Sequence, residues 1–204
     1  HILLRALERM NDAQAVLGVP VEVTIIGTGD CIALLQTAAG ALTNIRVQFL
    51  EALSPAEVDS YMQDNADVVI AMGTSALDAG RLGIPTLLLD YSYKPVDRCY
   101  RFTWLHERDG YTLADQINAS HLAPTDASML HRLRELLNKK ALLTSQVQAY
   151  VSANHSLAVV AARLLEHLQR SDCQWQYLRS ARVLGRGFLY SLFARLRSIA
   201  SGSS

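Results

Sequence analysis

Cysteine is scarce in this chain. Cys31, Cys99 and Cys173 are an odd set of three with no C-x-x-C spacing, which excludes a disulfide framework and gives no thiolate pattern for zinc. No apolar run reaches the roughly 18 residues that cross a bilayer. Net charge is also missing: 19 Lys and Arg balance 19 Asp and Glu, so no overall field draws the chain to nucleic acid. The six histidines form no H-x-x-x-H or H-E-x-x-H pair, and no metal site is expected. Ser75 lacks the G-x-S-x-G frame of a hydrolase nucleophile. A signal peptide is not expected either, because acids and polar residues interrupt the first segment. These absences point to a cytoplasmic protein.

What is present is apolar: 50% of the 204 residues are hydrophobic, enough for one sizeable core plus an appendage and too many for a disordered chain. Charge is uneven along the chain. Residues 1–126 hold 16 acids and 8 bases, whereas 127–204 hold 3 acids and 11 bases. The basic end is therefore expected to meet something anionic, inside the molecule or outside it. The start, Ile2-Leu3-Leu4-Arg5-Ala6-Leu7, is already in helical rhythm with no initiating methionine or capping residue, and reads as a chain cut from something longer.

The first 90 residues alternate between two periods. Ile2, Leu3, Leu7, Met10 and Val16 mark a helix face closed by Gly18 and Pro20. Residues 21–26 and 45–50 read as strands with a helix over 32–42 between them. Ser54-Pro55-Ala56-Glu57 predicts a capping box opening a helix to about Asn65. Residues 67–72 and 84–89 read as two more strands around a short helix from Thr74 to Leu82. Strands alternating with helices predict an α/β fold with a doubly wound parallel sheet, Rossmann-like, and right-handed crossovers. From Tyr91 to Thr125 the pattern loosens among aromatic residues. Helices are expected over about 127–138, 141–153 and 155–169, as a helical C-terminal extension. The divisions expected are 1–126 for the α/β domain, 127–172 for its helical closure, and 173–204 for a basic amphipathic tail.

In such a sheet, ligands sit beyond the carboxyl ends of the strands. Gly27-Thr28-Gly29-Asp30 follows the first strand and lets backbone N–H groups approach a phosphate or sugar. It lacks a third glycine, and a plain strand-to-helix turn explains it as well. The second loop, Met72-Gly73-Thr74-Ser75-Ala76-Leu77-Asp78, is more informative. Thr74 and Ser75 open a helix whose free N–H groups suit a pyrophosphate. Asp78, one turn on, is placed to accept both hydroxyls of an attached ribose. A structural reading is equally open, with Thr74 as N-cap and Asp78 as a favourable acid near the helix start. Lys94 and Arg98 offer charge for a phosphate, although solvated surface explains both. His106 beside Glu107 suggests a general base, but Trp104, Leu105 and Tyr111 favour local packing.

The ordered set of segments resembles the donor-nucleotide half of GT-B glycosyltransferases. Asp78, Gly83 and Pro85 keep the spacing of a carboxylate five residues before the glycine of a G-x-P, with Asp where the family usually has Glu. Val21–Asp30 resembles the family's VGxGP strand and turn. Ile45–Leu50 resembles its VxFLG strand, and Tyr61–Asp67 the helix ending in AAD. The resemblance covers roughly residues 1–120. It implies that Asp78 binds the ribose, and that Gly73, Thr74 and Ser75 bind the diphosphate. It further implies that Phe49 and Leu50 lie beside the base, with Gly27, Thr28 and Gly29 near the phosphates or sugar and Lys94 adding charge. Ile70 stands where the retaining enzymes carry a second glutamate, so either the chain is of the inverting type or the retaining assignment fails, and the stereochemical outcome stays open. The Arg and Lys that usually neutralise the diphosphate, the first strand and the N-terminal acceptor domain would precede this chain, so no catalytic residue is assigned.

The expected activity is metal-independent transfer of a sugar from a nucleoside-diphosphate sugar to an acceptor hydroxyl, in bacterial surface polysaccharide or glycolipid synthesis. The expected partners are the nucleotide sugar, a sugar or lipid-linked acceptor, the N-terminal domain of the same enzyme, and no nucleic acid or cofactor. Arg179, Arg182, Arg186 and Arg197 lie opposite Leu184, Phe188, Leu192 and Ile199. That pattern allows peripheral contact of 179–199 with the inner membrane face, or packing of the apolar stripe on protein. The alternatives are a non-hydrolysing sugar-nucleotide 2-epimerase, and a binding or scaffold module without turnover.

Overall fold

The computed structural model describes residues 2–96, 100–118 and 128–170. Arg98, Cys99 and the tail over 173–204 lie outside the described residues. The chain divides into two units, residues 1–159 and 160–204.

Helix α1 (Ile2–Leu17) buries Ile2, Ala6, Leu7, Met10 and Ala13, an i, i+4, i+5, i+8, i+11 stripe. Val16, expected on that face, is 61% exposed, because six residues past Met10 it lies about 120° round the helix from it. Strands β1 (Glu22–Ile26) and β2 (Arg46–Leu50) pair in parallel, Ile26 opposite Leu50, across helix α2 (Ile32–Gly40). Helix α3 (Pro55–Asn65) starts at the expected capping box: the Glu57 N–H donates to Ser54 Oγ, and the Ser54 N–H to Glu57 Oε2 at 2.8 Å. Strand β3 (Val69–Ala71), helix α4 (Thr74–Arg81) and strand β4 (Thr86–Leu88) follow, with β3 and β4 parallel. Strand β5 (Thr103–Trp104), which the sequence pattern did not predict, pairs antiparallel to β4 and leads into a 3₁₀ turn over Leu105–Glu107.

Helix α5 (Met129–His155) merges two expected helices; its break survives as non-helical backbone at Lys139 (φ −136°, ψ 24°). Before the break, Met129, Leu133 and Leu136 join the α1 core; beyond it, Val147 and Val151 pack with Ala76, Leu88 and Leu105. Helix α6 (Leu157–Arg170) enters the second unit. There Leu164, Leu165 and Leu168 are exposed, and Arg170 pairs with Glu166 at 2.7 Å. No helix among the described residues is long and apolar enough to cross a membrane.

The molecule is thus mixed α/β with small parallel sheets and a helical C-terminal part. A single sheet was expected, whereas the described strands form two, β1-β2 and β3-β4-β5. The sheets nevertheless share their covering layers. Val23, Ile25 and Val47 of one sheet and Ile70 and Leu87 of the other, with Leu89 just past β4, all pack on the core that holds α1. On the opposite faces, the α3 residue Tyr61 places its hydroxyl 2.9 Å from Thr24 Oγ1 of β1. Val58 and Met62 of the same helix pack with Val69 of β3. Alternation along each strand puts Thr24 and Val69 opposite Ile25 and Ile70. One helix therefore lies under both sheets and another over both.

Candidate functional site

The carboxyl ends of the parallel strands carry the residues singled out above. Gly27 follows β1 with φ +125°, a conformation that side chains disfavour. Its N–H donates to the Leu50 carbonyl at 3.0 Å, so Gly27 and the end of β2 lie side by side. Thr28 and Gly29 are exposed, and Phe49 and Leu50 are partly buried.

Gly73 follows β3 with φ +63° and is itself the N-cap of α4, without a side-chain capping bond. Thr74 is therefore the first helical residue and not the cap, contrary to the structural alternative. Asp78 lies beyond the first turn, which holds no acid. Thr74, Ser75 and Asp78 are exposed, while Ala76, Ala79 and Gly80 seat the opposite face of α4 in the core. The Thr74 and Ser75 amides make no backbone hydrogen bond among the described residues, as the start of a helix dictates. The Gly73 N–H is already used: it donates to the Leu113 carbonyl at 3.2 Å. Two helix-start donors remain open to an anion where three were expected. Lys94 is exposed on the loop after β4, its N–H donating to Ser92 Oγ at 3.1 Å.

Leu113 belongs to a strap that the sequence did not reveal. Tyr91 N–H donates to Asp115 O at 2.9 Å and Ile117 N–H to Tyr91 O at 2.9 Å, laying 113–117 beside the ends of β3 and β4. A buried carboxylate holds it there. Asp90, 1% exposed, accepts from Tyr100 Oη at 3.0 Å, Arg108 Nη2 at 2.6 Å and Asp115 N–H at 2.8 Å. Arg108 Nη1 reaches Asp115 at 2.7 Å. Burial, then the charge of Asp90, pushes the Tyr100 phenol well above its ordinary 10. The signal was legible: an aspartate directly after an apolar strand must find partners or unfold it.

A second network sits below. Arg132, 4% exposed, donates to Phe102 O at 2.8 Å, to Glu107 at 2.7 and 2.9 Å and to Glu135 at 2.7 Å, with its guanidinium 5.9 Å from the Trp104 ring centre. Glu107 is thus committed to an ion pair, and His106 stacks on Trp104 at 6.4 Å, which agrees with local packing rather than base catalysis. Burial lowers the His106 pKa below 6.5, and its Nδ1 has no partner.

No group of three or more His, Cys, Asp or Glu among the described residues is arranged to hold a metal ion. An open groove of about 600 Å³ lies instead beside Arg81, Ser145, Gln148, Ser152 and His155, at the far end of α4, about 10 Å along its axis from Thr74. Arg81 is paired there with Asp59 at 2.7 Å, so the groove is no extension of the predicted anion site. Comparison with protein families, with curated proteins and with solved structures gave no match.

Proposed function

We propose that this chain is the donor-binding half of a GT-B-like glycosyltransferase, a Rossmann-like domain that holds a nucleoside-diphosphate sugar. One observation carries the reading. Directly after a parallel strand, a positive-φ glycine delivers the chain into α4, whose Thr74 and Ser75 amides and hydroxyls stand exposed with Asp78 exposed behind them. Helix-start donors stabilise a diphosphate most when it carries the full charge of a leaving group. A carboxylate at i+4 grips the ribose that trails from it. Gly27 and Leu50, joined by a hydrogen bond, supply the neighbouring strand ends for sugar and base, and Lys94 adds an exposed cation. The partner domain would bring the acceptor and the base.

Calorimetric titration of UDP and of GDP into the chain tests this. Binding of at least one is expected, unaffected by chelator. Asp78→Ala should weaken it by about 10- to 100-fold, the loss of two hydrogen bonds to a charged acceptor. Failure of both nucleotides to bind wild type, or equal affinity in the variant, overturns the reading.

A further inference from the structure

We infer that residues 111–114, the span of the strap between its anchors, are a gate over the Gly73 amide: the seated strap occupies that donor and swings out to release it to a ligand. The gate itself rests on the hydrogen bonds around the strap. That the released donor serves an oxyanion rests on the sugar-nucleotide reading.

The ladder between β3 and β4 shows what the strap replaces. Val69 N–H donates to Pro85 O, and Leu89 N–H to Ala71 O, in the even alternation of a parallel pair. One step further, the same pattern would send the Gly73 N–H to Leu89 O and the Tyr91 N–H to Gly73 O. Both donors are used otherwise. The Gly73 N–H goes to Leu113 O and the Tyr91 N–H to Asp115 O, so two strap carbonyls take the place of the next rung. The space they fill lies at the carboxyl ends of parallel strands, where α/β sheets bind their ligands.

The strap is firm at its ends and looser between them. Asp115 is fixed by Asp90 at 2.8 Å, Arg108 at 2.7 Å and Tyr91 at 2.9 Å, and Gly110 O accepts from Tyr150 Oη at 3.1 Å. Between these anchors the bond from Gly73 is longer, at 3.2 Å. Tyr111 and Thr112 are exposed, with the Tyr111 ring edge-on to His155, and Leu113 is partly buried on the core that holds Ala76, Leu88 and Leu105. Gly110 supplies the hinge. Its φ is +76°, and a Cβ there would meet nothing within 4 Å, so glycine is required by conformation and not by space.

Acceptor chemistry opens the gate. A phosphate oxygen and Leu113 O compete for one N–H and repel each other side by side, and the charged oxygen makes the stronger bond. An oxyanion that displaces the carbonyl gains Gly73 as a donor beside Thr74 and Ser75, which are open already.

Amide hydrogen exchange by NMR, together with calorimetric titration of UDP and GDP, tests the gate. In the wild-type chain, Gly73 should be protected at least about 100-fold less than Leu89, whose amide lies inside the ladder, because the gate opens without global unfolding. Gly110→Ala puts a side chain in left-handed backbone and so strains the seated strap. It should lower Gly73 protection by about 5- to 30-fold and tighten nucleotide binding by the same factor, with Leu89 unchanged. Leu113→Ala trims the side chain that seats the strap; it should act in the same direction, and serves if Gly110→Ala does not fold. Gly73 protected as strongly as Leu89 in wild type overturns the inference, as does no change at Gly73 in either variant. A variant that exposes Gly73 yet binds nucleotide no more tightly than wild type also overturns it, because the strap is then a wall of the site. If Gly73 opens as expected and neither nucleotide binds any of the chains, the gate is supported and the sugar-nucleotide reading falls.

Discussion

Arg132 shows how much a single side chain carries. Its guanidinium meets a backbone carbonyl, two carboxylates and an indole face. Burial alone would raise the Glu135 pKa, yet hydrogen bonds from Trp104 and Arg132 outweigh it and hold it below 4.5. Arg132→Met keeps the stem and removes every donor, leaving Phe102 O buried and unpaired. Glu107 and Glu135 keep some water, at 34% and 23% side-chain exposure, which moderates the cost. We expect a loss of about 2–3 kcal/mol, read as a lower urea midpoint at unchanged m. Glu135→Gln added to that variant should recover part of it by removing one stranded charge. Of its two carboxylate partners, Glu135 is a local i+3 neighbour on α5, whereas Glu107 was not identifiable beforehand, because it lies 25 residues away and across a region with no periodicity. That Thr74, Ser75 and Asp78 share one short helix was legible, since their spacing is a local property.

At the level of elements, the boundary signals in the first 90 residues are local and strong. The capping box at Ser54, the glycines at 18, 73 and 83, and β-branched runs place α1 to β4 within about two residues of expectation. Strand β5 has two residues and exists because β4 offers it an edge, a long-range cause that no local pattern encodes. The contact of α4 with α5 is similarly non-local, and it explains Gly80. A Cβ at that position would lie 2.7 Å from Val151 Cγ2, 3.0 Å from Leu105 Cδ2 and 3.1 Å from Val147 Cγ2. In an isolated helix Gly→Ala gains about 1 kcal/mol. Here overpacking costs about 1–3 kcal/mol, and two of the three neighbours are β-branched with little rotamer freedom to retreat. Gly80→Ala should therefore destabilise, with a lower thermal midpoint. Val151→Ala in the same background should suppress the difference, because the closest clash is then gone.

For the molecule as a whole, opposite charge along the chain is partly spent inside: α5, in the basic half, pairs Arg132 with Glu107 and Lys140 with Asp67 of the acidic half. The titrating groups that such packing buries set where folding is stable in pH. Burial holds the His106 and His155 pKa values below 6.5. Above pH 6.5 both imidazoles are neutral folded or unfolded; below it the unfolded chain takes up protons that the folded chain resists, so stability falls as pH drops. Tyr100 works at the other end. Its folded pKa is raised from 10, so its contribution is complete below pH 10 and is lost as pH rises further, when the unfolded phenol ionises first. Denaturant midpoints across pH 4.5 to 11 should trace a plateau with a shoulder on each side. His106→Phe preserves the stack on Trp104 and deletes the unpartnered Nδ1, so it should equal or exceed wild type at pH 7 and flatten the acid shoulder. Tyr100→Phe should cost about 1–2 kcal/mol at pH 7, for the lost bond to Asp90, and flatten only the alkaline shoulder. Because each substitution acts on one side alone, a variant that moved both shoulders equally would mean that its effect is general loosening of the core, and that burial of these two groups is not what shapes the curve.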